Sequence, residues 1–429
     1  MNVADSEKIA SALEKTGQQP ANNVKEADLL VINACSVRQA AIDRVYGQIN
    51  NFPDKKIIVA GCLLDFDKKR LAQNKNISFW NPDEYFKLPP ARLASESVAG
   101  GPPRTNKNTA NIPIMTGCNN FCSYCVVPYT RGREKSRPAS RIIKEVKSLI
   151  KKGYKEVILL GQNVNSYKDK KNNFLQLLQK INNLPGDFWL SFLTSHPKDM
   201  SDKLIETMAR CEKIAPYIHL PVQSGDNEIL KKMNRHYTVT HYKNLIKKLR
   251  AAFKKHRVNF PPLAISTDII VGFPGETKKQ FQHTANLARE IKFDMIYFAQ
   301  YSPRPGTAAA RLPDDVPQQE KKRRTRILNN ILKKTALQNN KKYIGKTVDV
   351  LINKIKKDCA IGKTATLKTV KIDANPHSEL TYLPKLQKRT VSDSLASVKI
   401  IGATAWGLRG KLKADTDKIS NRLYKKSNI

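Results

Sequence analysis

The sequence predicts an α/β protein in three successive parts: a doubly wound N-terminal α/β domain, a central partial (β/α)6 barrel and a small C-terminal β-barrel. Three patterns predict this order. Apolar β-type runs alternate with helical stretches over residues 1–88, β-type runs separated by helical stretches recur over residues 112–317, and short alternating segments follow Gly345. Strands that alternate with helices are typical of parallel sheets with right-handed crossovers, and short alternating strands are typical of small barrels.

The first part, residues 1–88, shows a parallel α/β pattern. A helix is predicted over residues 7–16, with Asp5 or Ser6 as its N-cap, and another over residues 37–50. Two apolar runs are predicted to be buried strands: Leu29–Cys35 and Lys56–Cys62.

Cys35 and Cys62 stand at the carboxyl ends of these two predicted strands. Doubly wound sheets gather their ligands at that edge, so two cysteines in equivalent places predict a shared metal site. The alternative for each cysteine is a small buried apolar residue, a role that free cysteine often has.

A stretch rich in Pro, Gly and small polar residues, 89–111, is predicted to be a linker, and the barrel is predicted over 112–317. Its β-type runs are 112–115, 157–161, 189–194, 217–222, Ala264–Val271 and 295–301. The carboxyl rim of such a barrel is its active face, so polar residues that follow the strands are expected to converge there. They are Gln162, Asn163, Ser195, His196, Gln223, Ser224, Asp268 and Arg304. The alternative for each of them is an ordinary loop cap or turn former.

Three of the seven cysteines, Cys118, Cys122 and Cys125, follow the first β-type run with the spacing C-x3-C-x2-C. Cysteine thiolates hold iron–sulfur clusters, and three ligands on a four-iron cubane leave one iron open to bind a further ligand. Structural zinc sites usually come as two CxxC or CxxH pairs, and the sequence has no CxxH and no second CxxC. An odd trio suits no disulfide framework. The spacing therefore favours a cluster.

The distribution of charge indicates a nucleic-acid partner. The chain has 76 Lys and Arg against 37 Asp and Glu, a net charge of +39, and a pI near 9.9. From residue 318 onward 27 basic residues face 8 acidic ones, so about half of the surplus lies in about the last quarter of the chain. This favours an RNA-binding C-terminal part over a uniform enrichment in lysine.

The sequence has no run of eighteen apolar residues, and its start, MNVADSEK, carries acidic residues where a secretory signal has a basic region. Secretion and a membrane partner are therefore not expected. Seven cysteines at metal-type spacing fit a reducing compartment, and the cytoplasm is the predicted location.

An amphipathic linking helix is predicted over Gln318–Lys341, with its charged start EKKRRTR as a solvated surface between domains. Residues 342–415 are predicted to form the small β-barrel. Trp406 and Tyr382 are expected either to stack on bases or to pack in its core. Cys211 and Cys359 stand alone and are predicted to pack as apolar residues.

The cysteine trio with Tyr124 before its last member resembles the signature of radical S-adenosylmethionine (SAM) enzymes. The string that follows, CVVPYTRG, narrows the resemblance to the methylthiotransferase family. Further strings in the same order carry it over nearly the whole chain: GQNVN, TSHP, HLPVQSG, IVGFPGET and SPRPGT. The final GATAWGLRGKL resembles the end of a TRAM domain, an RNA-binding module.

The resemblance implies radical SAM-dependent methylthiolation of C2 of N6-isopentenyladenosine, next to the anticodon of tRNA. It implies one 4Fe-4S cluster on Cys118, Cys122 and Cys125, whose open iron binds SAM. It implies a partial barrel of six β/α units, an electron donor such as flavodoxin or ferredoxin, and a monomer. The residues expected to contact SAM are Gln162, Asn163, Ser195, Gln223, Arg131 and Arg304; Arg131, like Arg133, has an RNA phosphate as its alternative partner.

An auxiliary 4Fe-4S cluster is also implied, with Cys35 and Cys62 as two of its three ligands. In the family the first ligand stands in a Gly-Cys-Gln-Met-Asn string, and this sequence opens at Met1 and Asn2. This missing cysteine is therefore expected just upstream of Met1, in a longer chain from which the first strand is missing here; the alternative is that the auxiliary cluster has been lost.

Two other functions remain open. Sister methylthiotransferases act on threonylcarbamoyl-adenosine in tRNA or on an aspartate of a ribosomal protein, and one sequence does not separate these branches. From a different class, the chain is also compatible with a non-catalytic RNA-binding protein whose cysteine trio holds zinc.

Overall fold

The structure, a computed structural model, describes residues 2–15, 17–36, 39–80, 108–257, 261–356, 358–373 and 395–412. The chain divides into two compact units, Met1–Leu332 and Lys333–Ile429. The predicted linker up to residue 107 and Tyr382 lie outside the described residues.

The N-terminal part of the first unit is a three-stranded parallel sheet in the order β1-β2-β3, with its helices at the chain positions that connect the strands. Its elements are α1 (Asn2–Lys15), β1 (Leu29–Cys35), α2 (Gln39–Asn50), β2 (Lys56–Cys62), α3 (Asp65–Leu71) and β3 (Ile77–Phe79). Ile42, Ile57 and Val59 are buried in the core between sheet and helices. The register places Cys35 directly opposite Cys62.

The central part has six parallel strands in two sheets, β4-β7-β8 and β9-β10-β11, and a parallel bridge from Leu190 to Ile214 connects them. The strands are β4 (Thr109–Pro113), β7 (Glu156–Leu160), β8 (Trp189–Phe192), β9 (Tyr217–His219), β10 (Ala264–Val271) and β11 (Met295–Gln300). Two short strands, β5 (Met115–Thr116) and β6 (Lys135–Ser136), pair antiparallel after β4. Each of the six predicted β-type runs contains or overlaps one of the parallel strands.

Helices connect these strands and bury one face each. They are α4 (Val127–Arg131), α5 (Ala139–Lys151), α6 (Phe174–Asn182), α7 (Asp202–Arg210), α8 (Asn227–Lys232), α9 (Val239–His256) and α10 (Lys278–Ile291). Helix α10 shows why they begin where they do: Thr277 and Gln280 form a capping box that satisfies the first backbone N–H groups. In α9, Tyr242, Ile246 and Leu249 recur at helical spacing and are buried.

Helix α11 (Gln318–Lys341) has the predicted bounds, but its charged start is only partly solvated: Lys322, Arg323 and Arg326 are exposed, whereas Lys321 and Arg324 are buried. Lys321 is 2% exposed and its Nζ donates to Asp314 Oδ2 (2.7 Å) and to the carbonyl of Tyr301 (3.0 Å). Arg324 is 3% exposed and pairs with Glu276. The sequence pattern does not reveal this burial, because Glu276 lies 48 residues from Arg324 along the chain and Asp314 lies outside the helix.

The second unit contains a closed five-stranded barrel in the order β12-β13-β14-β16-β15, in agreement with the predicted small β-barrel. Its strands are β12 (Thr347–Ile355), β13 (Cys359–Thr364), β14 (Thr369–Asp373), β15 (Leu395–Ala403) and β16 (Leu408–Leu412). Val350, Val370 and Ile400 are fully buried in its core. Trp406 is 51% exposed, so its side chain is not part of that core. Cys211 and Cys359 are buried, as predicted.

Within the described residues, none of the helices combines the length and the apolar character that crossing a bilayer requires.

The buried pair between Arg324 and Glu276 generates a stability prediction. Arg324 Nη1 donates to Glu276 Oε2 at 2.6 Å, the side chains are 3% and 1% exposed, and the same carboxylate oxygen accepts from the backbone N–H of Gly272 at 2.7 Å. Replacement of Arg324 by Ala leaves a buried carboxylate uncompensated, so we expect the free energy of unfolding to fall by about 3 to 5 kcal/mol in urea denaturation.

The matched control is the exposed pair Lys248 and Asp202, whose side chains are 53% and 70% exposed. We expect Lys248→Ala to change the free energy of unfolding by less than about 1 kcal/mol. Equal losses from both substitutions would contradict a special role for the buried pair.

Candidate active site

The three cysteines of the C-x3-C-x2-C string lie on one loop, residues 117–134, whose ends are joined by the pairing of β5 with β6. The backbone N–H of Cys118 donates to the carbonyl of Gly132 at 3.1 Å, across the base of the loop. Gly117 has φ +77°, and a Cβ there would lie 2.1 Å from the carbonyl oxygen of Arg133. Only glycine fits this position, so the loop is closed tightly just before its first cysteine.

The far side of the loop is held by the residues that end α8 and follow it. Ser123 donates through its backbone N–H to Met233 (3.0 Å) and through its hydroxyl to Lys232 (2.8 Å). Asn234 Nδ2 donates to the carbonyl of Phe121 at 2.9 Å. Phe121 has φ +47°, a strained conformation for a bulky residue, and the bond from Asn234 helps to hold it there. The cysteines are therefore presented on a backbone that is fixed at both sides.

The environment of the three thiols fits an iron–sulfur cluster. Burial raises the pKa of Cys118 and raises the pKa of Cys125 to about 12, and the nearby Cys122 adds to both shifts. Thiols in such a place ionise when a metal supplies positive charge. Three thiolates on one loop suit a four-iron cubane, which takes one thiolate per iron.

Arg235 forms a hydrogen bond to Cys122, the central cysteine of the trio, and is not among the predicted site residues. Its Nη1 donates to Cys122 Sγ at 3.4 Å, and the side chain lies almost entirely inside the protein. Arg235 is distant from Cys122 along the chain and belongs to none of the quoted strings, so sequence reasoning had no signal for the contact.

Cys35 and Cys62 are brought together as predicted, opposite each other at the carboxyl ends of β1 and β2. Burial raises the pKa of the Cys62 thiol, and the guanidinium of Arg131 opposes that shift. Arg131 Nε lies 2.7 Å from Cys62 Sγ, and its Nη2 pairs with Asp5 Oδ2 at 2.7 Å, with side-chain exposures of 4% and 7%. Arg131, predicted to meet SAM or an RNA phosphate, contacts Cys62 and Asp5 in this structure.

Among the described residues, the strand ends of the barrel carry buried polar atoms that have no hydrogen-bond partner within the protein. They are Gln162 Oε1, Asn163 Oδ1, Ser195 Oγ and Arg304 Nε. Each such atom costs about 1 to 3 kcal/mol unless something satisfies it. Four of the six residues expected to bind SAM therefore present unsatisfied polar atoms with which a polar ligand could form hydrogen bonds.

The other predicted rim residues are used by the protein itself. Gln223, with φ +69°, donates its backbone N–H to the carbonyl of Asp268 at 2.9 Å and so extends the pairing beyond β9. Ser224 is fully buried beside Thr284. Burial lowers the pKa of His196 to about 2, which favours the neutral imidazole.

His219 lies in the HLPVQSG string but is not among the predicted site residues. Its Nδ1 lies 2.8 Å from Ser266 Oγ and its Nε2 lies 3.5 Å from Asp268 Oδ2. The ring also contacts Tyr297 edge-on, with 5.7 Å between the ring centroids. These residues lie on β9, β10 and β11, so they form a polar group on the three strands of one sheet.

Comparisons with known proteins agree with this geometry. Residues 112–288 match the family model "Radical SAM superfamily", and residues 1–80 match the model "Uncharacterized protein family UPF0004". Several curated relatives carry the name tRNA-2-methylthio-N(6)-dimethylallyladenosine synthase. The one from Thermoanaerobacter sp. (strain X514) is 40% identical, over 96% of this chain and 90% of the relative.

Two more relatives of the same name have a similar sequence identity to this chain. The protein of Caldicellulosiruptor saccharolyticus is 41% identical, over 96% of this chain and 90% of its own length. That of Clostridium botulinum (strain Hall) is 38% identical, over 96% of this chain and 94% of its own length. Identity of this extent covers the cysteine loop, the rim and the C-terminal barrel together. The chain therefore belongs to the radical SAM family of tRNA-2-methylthio-N(6)-dimethylallyladenosine synthases.

Proposed function

We propose that this chain catalyses SAM-dependent methylthiolation of C2 of N6-isopentenyladenosine in tRNA. The observation that carries the proposal is the loop of Cys118, Cys122 and Cys125, held beside a rim of unsatisfied polar atoms. The curated relatives bear the name of this activity at 38% to 41% identity. The isopentenyl-adenosine branch is therefore preferred over the sister branches and over a zinc-binding protein.

The family implies a 4Fe-4S cluster and SAM. When bound, they supply radical chemistry, which no side chain provides, for removal of an unreactive C2 hydrogen. Cys118, Cys122 and Cys125 would hold the cluster. Gln162, Asn163 and Ser195 would orient SAM through polar atoms that are otherwise unsatisfied. Arg304, whose Nη1 contacts Gln39, would connect that rim to the start of α2 in the N-terminal part.

An auxiliary cluster at Cys35 and Cys62 is the second part of the proposal. Both cysteines end adjacent strands in register, and Arg131 places a positive charge at the Cys62 sulfur. Arg131 belongs to α4, which follows directly after Cys125, so one short segment connects the two cysteine sites. Its role in this proposal is to fix Cys62 relative to the first site; the earlier prediction of a SAM or RNA contact stays untested.

The RNA would bind through the basic C-terminal part. The closed barrel exposes Trp406 on the turn between β15 and β16, where Thr404 and Gly407 bond to each other. A base in an anticodon loop is easier to turn out of its stack than a base in a duplex, so an adenosine in that loop is an accessible substrate. The proposal also includes an electron donor such as flavodoxin or ferredoxin. The protein is proposed to act as a monomer in the cytoplasm.

The first test is Cys122→Ala in the reconstituted protein. Two remaining thiolates do not hold a cubane, so we expect production of 5′-deoxyadenosine from SAM to be abolished. Chromatography of the reaction mixture measures this. The control is Cys211→Ala, which removes a buried thiol outside the site and should retain cleavage. Unchanged deoxyadenosine production by Cys122→Ala would contradict the assignment of the cluster.

Deletion of residues 342–429 tests the location of RNA binding. We expect weaker binding of tRNA and a flatter salt dependence, because each lost phosphate contact lowers the log–log slope by about 0.7 to 0.9. Cleavage of SAM should persist. A titration in which the truncated and the full chain show the same slope would mean that the basic surplus does not bind RNA.

Trp406 allows a finer test within the barrel. A base stacked on an aromatic ring contributes about 1 to 3 kcal/mol, so we expect Trp406→Ala to weaken tRNA binding about tenfold in a filter-binding assay at fixed salt. The control is Ile401→Ala, an exposed apolar residue of β15 that is 41% exposed. Equal affinity of the two variants would argue against stacking.

A further inference from the structure

Arg235 is a buried cation whose charge the described residues do not neutralise with a carboxylate. The residue is 7% exposed. Its Nη2 donates to the carbonyl of Pro221 at 2.8 Å, its Nε donates to the hydroxyl of Tyr237 at 2.9 Å, and its Nη1 donates to Cys122 Sγ at 3.4 Å. None of the ion pairs found in the described part of the chain includes Arg235. Burial of an unpaired guanidinium is costly, so this arrangement calls for an anion at the Cys122 sulfur.

The surroundings fix the direction of this guanidinium. The Tyr237 hydroxyl that receives Nε donates in turn to the carbonyl of Val222 at 2.9 Å, and the guanidinium carbon lies 5.0 Å from the centre of the Tyr237 ring. His196 packs edge-on against the same ring. Nη2 is therefore occupied by the segment after β9 and Nε by Tyr237, and Nη1 points at the cysteine.

Arg235 also follows directly on the segment that holds the cysteine loop. Lys232, Met233 and Asn234 bond to Ser123 and Phe121, on either side of Cys122. The guanidinium is thus anchored to the same backbone that positions its sulfur partner. The contact does not depend on a flexible surface side chain.

We propose that Arg235 is a positioning residue that donates to the Cys122 sulfur of the loaded enzyme and makes the cluster easier to reduce. Reduction adds one negative charge to the cluster, and a positive hydrogen-bond donor at a ligand sulfur stabilises the reduced state more than the oxidised state. Hydrogen bonds to ligand sulfurs and net charge are two of the features that set cluster potentials. The inference rests on the cluster that the proposed function requires.

The experiment compares reduction potentials of the reconstituted full-length protein, Arg235→Gln and Arg235→Lys by redox titration with electron paramagnetic resonance. At the wild-type midpoint potential we expect the ratio of reduced to oxidised cluster in Arg235→Gln to fall about tenfold, which is a shift of about 59 mV for one electron. Arg235→Lys keeps the charge without the planar fork, so its potential should lie between the other two.

The matched control is Arg257→Gln. Arg257 is a partly buried arginine that donates to the carbonyls of Met208, Ala209, Cys211 and Ile214 and to no thiol. Its loss should lower stability without a change of potential. This control separates an electrostatic effect at the sulfur from a general loosening of the fold.

Equal potentials for wild type and Arg235→Gln would overturn the inference. So would loss of iron from both Arg235 variants with the apoprotein still folded, since that result would assign a purely structural role. A wild-type protein that binds no iron at all, or binds iron but yields no methylthiolated nucleoside from tRNA, would contradict the proposed function; in the second case the comparison of potentials still tests Arg235.

Discussion

Buried charge is the constraint on which the site depends. Thiols deep in a protein resist ionisation, and the structure places one guanidinium against a cysteine of each group: Arg235 at Cys122 and Arg131 at Cys62. A buried arginine is costly unless it is paired and hydrogen-bonded, so each of these contacts stabilises only a particular local arrangement. Each buried arginine needs a partner for its charge, and each buried thiol needs a nearby positive charge to ionise, so the positions of the arginines and the cysteines are linked.

Arg131 also shows how the parts of the first unit act together. It leaves the loop of the cysteine trio, reaches Cys62 at the end of β2, and pairs with Asp5 of α1. Arg304 makes a second connection of this kind, to Gln39 at the start of α2. The Arg131 side chain is 4% exposed and Arg304 is 3% exposed, so these contacts are shielded from solvent and salt. Polar contacts thus contribute to the geometry between the two cysteine groups.

The same principle appears in the loop that follows β10. Gly272, with φ +68°, lies so close to the Lys321 side chain that a Cβ would meet it at 2.4 Å. The loop after β10 is therefore shaped around α11, whose Lys321 and Arg324 reach Asp314 and Glu276. Charged residues at the start of α11 therefore stabilise the IVGFPGET loop, and this loop forms part of the barrel rim.

The sequence by itself determined the parts whose signals are local. Strand and helix periodicity predicted the parallel α/β order and the C-terminal barrel. The spacing of Cys118, Cys122 and Cys125 predicted that one loop carries all three cysteines, because they lie within eight residues of one another. The pairing of Cys35 with Cys62 was also predictable, since adjacent parallel strands end at the same edge. The tertiary structure alone decided which cations meet these sulfurs. Arg235 contacts Cys122, Arg131 contacts Cys62, and the Trp406 side chain lies outside the core. Such contacts join residues far apart in the chain, and their side-chain directions depend on packing that no local pattern records.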